Sequence, residues 1–238
     1  MQSGNIANLP IEIRNATLQT CHKAEGVVVV VDVLRAFTTT AYAFDRGAKE
    51  IILVSTIEEA FELRERDANY LLVGEVGGLP IDGFDLPNSP SAIENLDLSN
   101  QRLVLRTTAG TQGVVLAKQA SHLFVTSLCV ATSTAHKIRA LNPDVVTFVE
   151  TGVRSKGGGE EDSACADYIT SLLLKSPVSV SDIHNRVLES RAAAKFLHTE
   201  SFDFPKADLE QALKIDCFQF AMKVERVDNL LILKSTNI

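Results

Sequence analysis

The chain has 238 residues, 45% hydrophobic and 22% charged, which is enough apolar material for one large α/β domain or two small ones. A formal net charge of −7 argues against a nucleic-acid partner, which would call for a basic face, but it leaves room for a local basic pocket. The N-terminal MQSGNIANLPIEIRN lacks the features of a signal peptide, and no apolar run approaches the roughly 18 residues of a membrane span, so a cytoplasmic protein without a membrane partner is expected.

In chain order, a polar strand-capable segment (Ile11 to Thr20) precedes five valines, Val27–Val31. A continuous β-branched run suits a strand buried on both faces, as in parallel sheets. Phe37, Ala41 and Phe44 then mark one face of a helix that Gly47 would end. Strand Glu50–Val54 follows, and Thr56 with Glu59 forms a capping box opening a helix through Arg66, with Ile57, Ala60 and Phe61 inward. Tyr70–Val73 is a third strand. The stretch 74–90, GEVGGLPIDGFDLPNSP, breaks the rhythm; Leu79, Ile81, Phe84 and Leu86 predict an ordered loop, and Ser89-Pro90 an N-cap and first helical residue.

Alternation resumes with strand Arg102–Leu105, the loop RTTAGTQG and a helix to Gln119. Strand His122–Val125, a helix from about Ala131 to Leu141 and strand Asp144–Val149 come next. A second irregular loop, Thr151–Glu161, leads into a helix over Ala164–Leu174. From 177 to about 215 the pattern is helical, with Ser181 as one cap and Pro205 opening another segment; this region is a candidate homodimer contact, a site cover or simply packing for the sheet. Phe218–Val224 and Leu230–Leu233, joined at Asp228-Asn229, read as a hairpin at the sheet edge. With no repeat or convincing linker, a single α/β domain with three layers (α/β/α) around a mostly parallel or mixed sheet is the simplest expectation.

Parallel strands would put their carboxyl ends on one rim, where open α/β sheets bind ligands. That rim would collect Asp32 and Arg35, Glu75, Arg106 with Thr107 and Thr108, and Glu150. RTTAGT offers two hydroxyls, a glycine at Gly110, Thr111 and a helix start to an oxyanion, with Arg106 as charge partner; Arg35 with Thr38 and Thr39 repeats the chemistry. Capping threonines and surface arginines explain the same residues without a ligand. No G-K-[ST] follows, so this is not a Walker loop. Asp32, Glu75, Glu150, Glu161 and Asp162 are the oxygen ligands available to Mg²⁺, although acids at the start of a helix also simply suit its dipole. The histidines (His22, His122, His136, His184, His198) lack metal spacing, and the scattered cysteines (Cys21, Cys129, Cys165, Cys217) contain neither a CxxC pair nor a C-x5-R loop.

VVVVVDVLRAFTTTAYAFDRGA, GEVGGLPIDGFDLPNSP, LRTTAGT and GGGEEDSACADYI resemble, in order, the 2-phosphosulfolactate phosphatase family of coenzyme M biosynthesis. The resemblance spans roughly Val27 to Ile169. It implies a magnesium-dependent phosphatase with an α/β/α fold, acting on a small phosphorylated organic acid. Asp32, with one or more of Glu75, Glu150, Glu161 and Asp162, would hold the metal. Arg35, Arg106, Thr107, Thr108 and Thr111 would clamp the anion, with Thr38, Thr39, Asn88, Ser89 and Gly110 as further substrate contacts. Leu34 stands where an aspartyl phosphatase would want a second aspartate, which favours attack by water over a phosphoaspartate. Val76 stands where the family loop has arginine, Ala109 where it has asparagine, and Val130 where an asparagine is expected. These departures keep two alternatives open: a phosphatase of altered substrate and a non-catalytic small-anion-binding protein.

Overall fold

The structure, a computed structural model, describes residues 11–152, 157–198 and 201–237. Its strands are β1 (Glu12–Thr17), β2 (Val27–Val31), β3 (Glu50–Leu53), β4 (Tyr70–Gly74), β5 (Leu86–Pro87), β6 (Arg102–Arg106), β7 (His122–Thr126), β8 (Val145–Glu150), β9 (Phe220–Val227) and β10 (Leu230–Asn237). The helices are α1 (Ala36–Asp45), α2 (Ile57–Arg66), α3 (Pro90–Ile93), α4 (Gly110–Leu116), α5 (Ala131–Ala140), α6 (Glu160–Leu174), α7 (Val180–Leu188), α8 (Arg191–His198) and α9 (Lys206–Ala212).

The ten strands form one mixed sheet in the order β1-β8-β2-β7-β9-β10-β3-β6-β4-β5. Side chains alternate across it, as the two-residue period of a strand demands. Val28 and Val30 join Leu123, Met222, Leu233, Ile51 and Leu105 in a core that α1, α3 and α4 cover. Val27, Val29 and Val31 face the opposite way, into a cluster with α5 to α9, while Ile52, Leu72 and Val104 pack beneath α2. The valine run is thus buried on both faces, and the architecture is three-layer α/β/α. Among the described residues, no helix is long and apolar enough to cross a membrane.

The C-terminal hairpin forms as its sequence predicts. Asp228 and Asn229 both have positive φ (48° and 66°), the requirement of a tight turn matched to strand twist. Its place is not the edge, however. β9 pairs antiparallel with β7, and β10 antiparallel with β3, so the hairpin sits mid-sheet between two parallel halves. Three successive reversals leave the halves running in opposite directions, so their carboxyl ends do not share one rim of the ladder. Twist brings them together: five strand steps separate β2 from β6, and at about 20–25° each they rotate one half by roughly 100–125° against the other. Helix α4, which follows β6, consequently packs on β2, where a Cβ on Gly113 would lie 2.7 Å from Val30 Cγ1.

Other expectations shift locally. Leu79 is exposed rather than buried, Ser179 and not Ser181 caps α7, and α8 is a separate helix that the sequence pattern did not distinguish. The capping box at Thr56 and Glu59 and the Ser89 cap of α3 form as expected. The centre of the second irregular loop, residues 153–156, lies outside the described residues.

Candidate active site

Asp32 directly follows β2 and is 6% exposed. Its Oδ1 accepts the Ala36 N–H at 3.1 Å, closing the first turn of α1. Its Oδ2 points toward α4, where a Cβ on Gly110 would come within 2.8 Å of it and 2.7 Å of the Ala36 methyl. Only glycine lets the two helix starts approach this closely.

Around Asp32 lies a cleft of two adjoining lobes, of about 240 and 160 Å³, which share Asp32, Leu34, Ala109, Ala192 and Lys195. The larger lobe adds Glu161, Asp162, the glycines at 157–159 and Arg191. The smaller adds Glu75, Asn88, Thr108 and the Gly77-Gly78 loop. Burial, reinforced by the charges of Glu75 and Glu161, pushes the Asp32 carboxyl up to about 7. Burial likewise raises Glu161, with Glu160 adding repulsion, and raises Asp162, with Glu161 and Asp32 adding theirs.

The acids divide by what their oxygens already hold. Asp162 accepts Val33 N–H at 2.8 Å on one oxygen and Gly152 N–H at 2.7 Å on the other, so it pins the β2 turn and the start of the glycine loop to α6. Glu75 accepts Thr108 N–H at 2.5 Å, the Thr108 hydroxyl at 3.0 Å and Gly78 N–H at 2.5 Å, so it ties the loop after β4 to the one after β6. Glu150 accepts the Ser163 hydroxyl, and its charged neighbours are Asp167 and Arg186, which takes it away from the Asp32 cleft. Glu161 differs: it is 3% exposed, and its Oε2 is buried without a hydrogen-bond partner. Glu161 Oε2 is therefore the oxygen that these acids leave without a partner, and Asp32, whose carboxyl takes the Ala36 N–H and the Thr151 hydroxyl, lines the same lobe with Oδ2 toward Gly110.

The two arginines also separate. Arg35 is 6% exposed and ion-paired at 2.8 Å with Asp208, itself fully buried. It further donates to Asp203 O at 2.7 Å and Gly78 O at 2.9 Å, and it lies 5.4 and 5.1 Å from the Phe196 and Phe204 ring centres. Both Nη groups are engaged, so Arg35 ties the α8–α9 cover to the smaller lobe, which it also lines. Arg106 is looser: Nη1 donates to Glu75 O at 2.8 Å and Nε is buried without a partner.

The threonines are mostly turned inward. Thr38 donates to Val33 O at 2.7 Å, in the turn ahead of α1, and Thr39 to Arg35 O at 3.0 Å, at the helix N-cap. Thr107 and Thr111 cap one another, each backbone N–H donating to the other's hydroxyl at 3.0 Å. Ser89 donates to Asp208 Oδ1 at 2.7 Å. Asn88 keeps Oδ1 buried and unpartnered, facing the smaller lobe. The sequence reading missed Asp208, which gathers Arg35, Ser89 and Ser91, and it missed Arg191 and Lys195 of α8. The last two carried a signal: in SRAAAK, two cations four residues apart share one helical face.

The family model described as 2-phosphosulpholactate phosphatase matches residues 13–226. The chain belongs to that family. A protein of Bacillus subtilis named as a probable 2-phosphosulfolactate phosphatase is 37% identical over 83% of this chain and 86% of its own. Relatives with the same name from Carboxydothermus hydrogenoformans (42% identical, 66% of this chain and 65% of theirs) and Caldicellulosiruptor saccharolyticus (37%, 64% of each) cover less. Of the departures from the family pattern, Ala109 lines both lobes of the cleft and Val76 is exposed on the loop beside it. Val130 is fully buried in the core beside Cys129, so its change bears on packing rather than on the cleft.

Proposed function

We propose that this chain is a magnesium-assisted phosphatase that removes phosphate from a small sulfonated, carboxylated phosphoester, the 2-phosphosulfolactate in its relatives' names. The observation that carries the reading is the pair of oxygens at the cleft floor: Asp32 Oδ2 facing Gly110, and the unpartnered Glu161 Oε2. Mg²⁺ binds through one or two carboxylates and completes its shell with water and substrate oxygens. The two donors are carboxylate oxygens, the kind Mg²⁺ takes; among the described residues no group of three or more His, Cys, Asp or Glu is placed to hold a metal ion, so an ion here would depend on water and substrate oxygens for the rest of its shell. Asp32 and Glu161 would hold the ion; when bound, it supplies charge neutralisation and a more acidic water.

The protein's own contribution is positioning. Asp162 fixes the floor and Glu75 fixes the loop facing it, so phosphate and water meet in a set geometry. The attacking group in this reading is water, with Leu34 where phosphoaspartate chemistry would place a second acid. The scattered free thiols suit a cytoplasmic setting. Ala109 at the cleft wall favours a second reading, altered substrate choice, which a panel of small phosphoesters resolves.

The test is phosphate release from 2-phosphosulfolactate with Mg²⁺ and with chelator. Metal-dependent release that Asp32→Asn and Glu161→Gln each reduce by about a hundredfold or more is expected. Absence of metal-dependent release from every phosphoester in the panel would sink the enzyme reading.

A further inference from the structure

The four cysteines are scattered along the chain, but the fold brings two of them together. Cys129 lies in the single turn Leu128–Val130 that follows β7, and Cys217 in the segment that joins α9 to β9. The Asp216 N–H donates to Leu128 O and the Phe218 N–H to Cys129 O, both at 3.0 Å, so the backbone on each side of Cys217 is bonded to that turn. Side chains hold the alignment. Asp216 accepts the Thr132 N–H at 2.6 Å, the Thr132 hydroxyl at 2.7 Å and the Tyr168 hydroxyl at 2.9 Å. Phe218 packs edge-on against Tyr42 and stacks on Phe220, with ring centres 5.0 and 5.8 Å apart. Cys217 is thus fixed between two anchored neighbours, with its thiol hydrogen-bonded to that of Cys129. A disulfide needs its sulfurs to meet without backbone movement, and here they do.

The two sulfurs differ as a redox pair requires. Cys217 is exposed and can meet a small oxidant, whereas Cys129 is fully buried. The hydrogen bond from Cys129, assisted by the Lys214 charge, pulls the Cys217 thiol below its ordinary range. Burial, together with that same hydrogen bond, pushes the Cys129 thiol well up. The accessible sulfur with thiolate character is the one that reacts first. Cys21 and Cys165 are buried, and burial raises both.

We infer that Cys217 and Cys129 form a peroxide-sensitive thiol pair, in which Cys217 meets the oxidant and Cys129 resolves it into a disulfide. The Cys217 sulfur attacks one oxygen of hydrogen peroxide and the O–O bond breaks. The hydroxide released takes up the thiol proton as water, and Cys217 is left as the sulfenic acid. The Cys129 sulfur then attacks the Cys217 sulfur; the S–S bond forms, the S–O bond breaks, and hydroxide leaves with the Cys129 proton as a second water. Two thiols give up two electrons, and one peroxide becomes two waters. The bond closes a loop of about 90 residues containing α5 to α9. It fastens the segment behind α9, whose Asp208 holds Arg35, to the turn after β7. None of this depends on the phosphatase reading.

The full-length protein is treated with a few equivalents of hydrogen peroxide at neutral pH, quenched in acid, digested and analysed by mass spectrometry. A mass loss of two hydrogens is expected, with one peptide pair linking Cys129 to Cys217, reversed by dithiothreitol. The oxidised protein should melt about 4–16 °C higher, as a disulfide across a long loop implies. In Cys129→Ala, Cys217 should stop at the sulfenic acid and be trapped by dimedone. In Cys217→Ser, a change at an exposed position, Cys129 should stay reduced at the same peroxide dose. Two thiols that remain reduced, a link through Cys217 to a second chain, a link to Cys21 or Cys165, or oxidation of Cys129 undiminished in Cys217→Ser overturns the pair. An oxidised protein that melts no higher than the reduced one overturns the fastening.

Discussion

The junctions after β2 and after β6 look alike as sequence: an arginine, then threonines, at the start of a helix. Folded, they differ in where the arginine finds its charge partner. Arg35 meets Asp208, 173 residues away, and is buried with aromatic rings against it. Arg106 donates to a backbone carbonyl and, among the described residues, keeps a buried Nε unpaired. The first junction is a tether with an acid, Asp32, beside it; the second is a glycine-lined approach that lets that acid face open space. A strand-to-helix turn with an arginine is not by itself an anion clamp, because an arginine's role is set by what the rest of the chain brings to it.

The strongest way to break the comparison is Asp208→Ala. A buried arginine that loses its carboxylate partner is expected to cost about 3–5 kcal/mol, read from denaturant unfolding. Arg106→Met should cost only about 1 kcal/mol, one hydrogen bond's worth. If the two costs came out equal, Arg35 would be finding its charge elsewhere, and the tether would have to be given up.

Next in size is a pH effect at Asp32. Its folded pKa of about 7 stands above the ordinary carboxylate value. Between roughly pH 4 and 7 the unfolded chain has lost this proton while the folded protein keeps it, so metal-free stability falls as pH rises, by at most about 1.4 kcal/mol per pH unit from this group. Above pH 7 its contribution is flat. Asp32→Asn should remove this group's share of the slope, and Mg²⁺ should offset it by favouring the ionised form. Glu161 and Asp162, which burial also raises, contribute slopes of the same sign that stay in Asp32→Asn, so the variant should reduce the slope by the Asp32 share, and a slope left unchanged would take the titration away from Asp32.

Gly110→Ala sharpens the second junction. The new methyl would fall 2.7 Å from the Ala36 Cβ and 2.8 Å from Asp32 Oδ2, and both neighbours belong to a packed helix start. Overpacking of this kind costs about 1–3 kcal/mol. Because the displaced atom is the proposed metal-facing oxygen, activity should fall further than stability. Full activity in a destabilised Gly110→Ala protein would show that Oδ2 has another outlet.

Local chemistry was legible where it acted locally. The valine run, the Thr56 capping box, the Ser89 cap and the Asp228-Asn229 turn were all readable, because each rests on neighbours within a few residues. Asp32 stood out because an acid that ends a buried strand is costly without a purpose. What could not be read were long-range pairings. Nothing in Phe220–Val227 or Leu230–Asn237 says that the hairpin will separate two parallel halves, and that insertion is what abolishes a shared carboxyl rim. Nothing near Arg35 announces Asp208. Helix α8 was missed because it is short and follows α7 after only Glu189 and Ser190, so its two cations merged into a general helical stretch.

The smallest effect separates threonines that serve the fold from threonines that serve a ligand. Thr38 donates to Val33 O, and Thr111 both donates to Thr107 O at 2.9 Å and accepts Thr107 N–H. Thr38→Val removes one donor and leaves a carbonyl that can relax, so about 1 kcal/mol is expected. Thr111→Val removes a donor and an acceptor and strands the Thr107 N–H, so its cost should exceed that of Thr38→Val. Neither hydroxyl faces the cleft in this arrangement, so KM for the phosphoester should move less than unfolding does in both variants. A Thr111→Val protein of undiminished stability whose KM rises tenfold would mean that the reciprocal cap opens to receive substrate. The second junction would then be the clamp that the first only resembles.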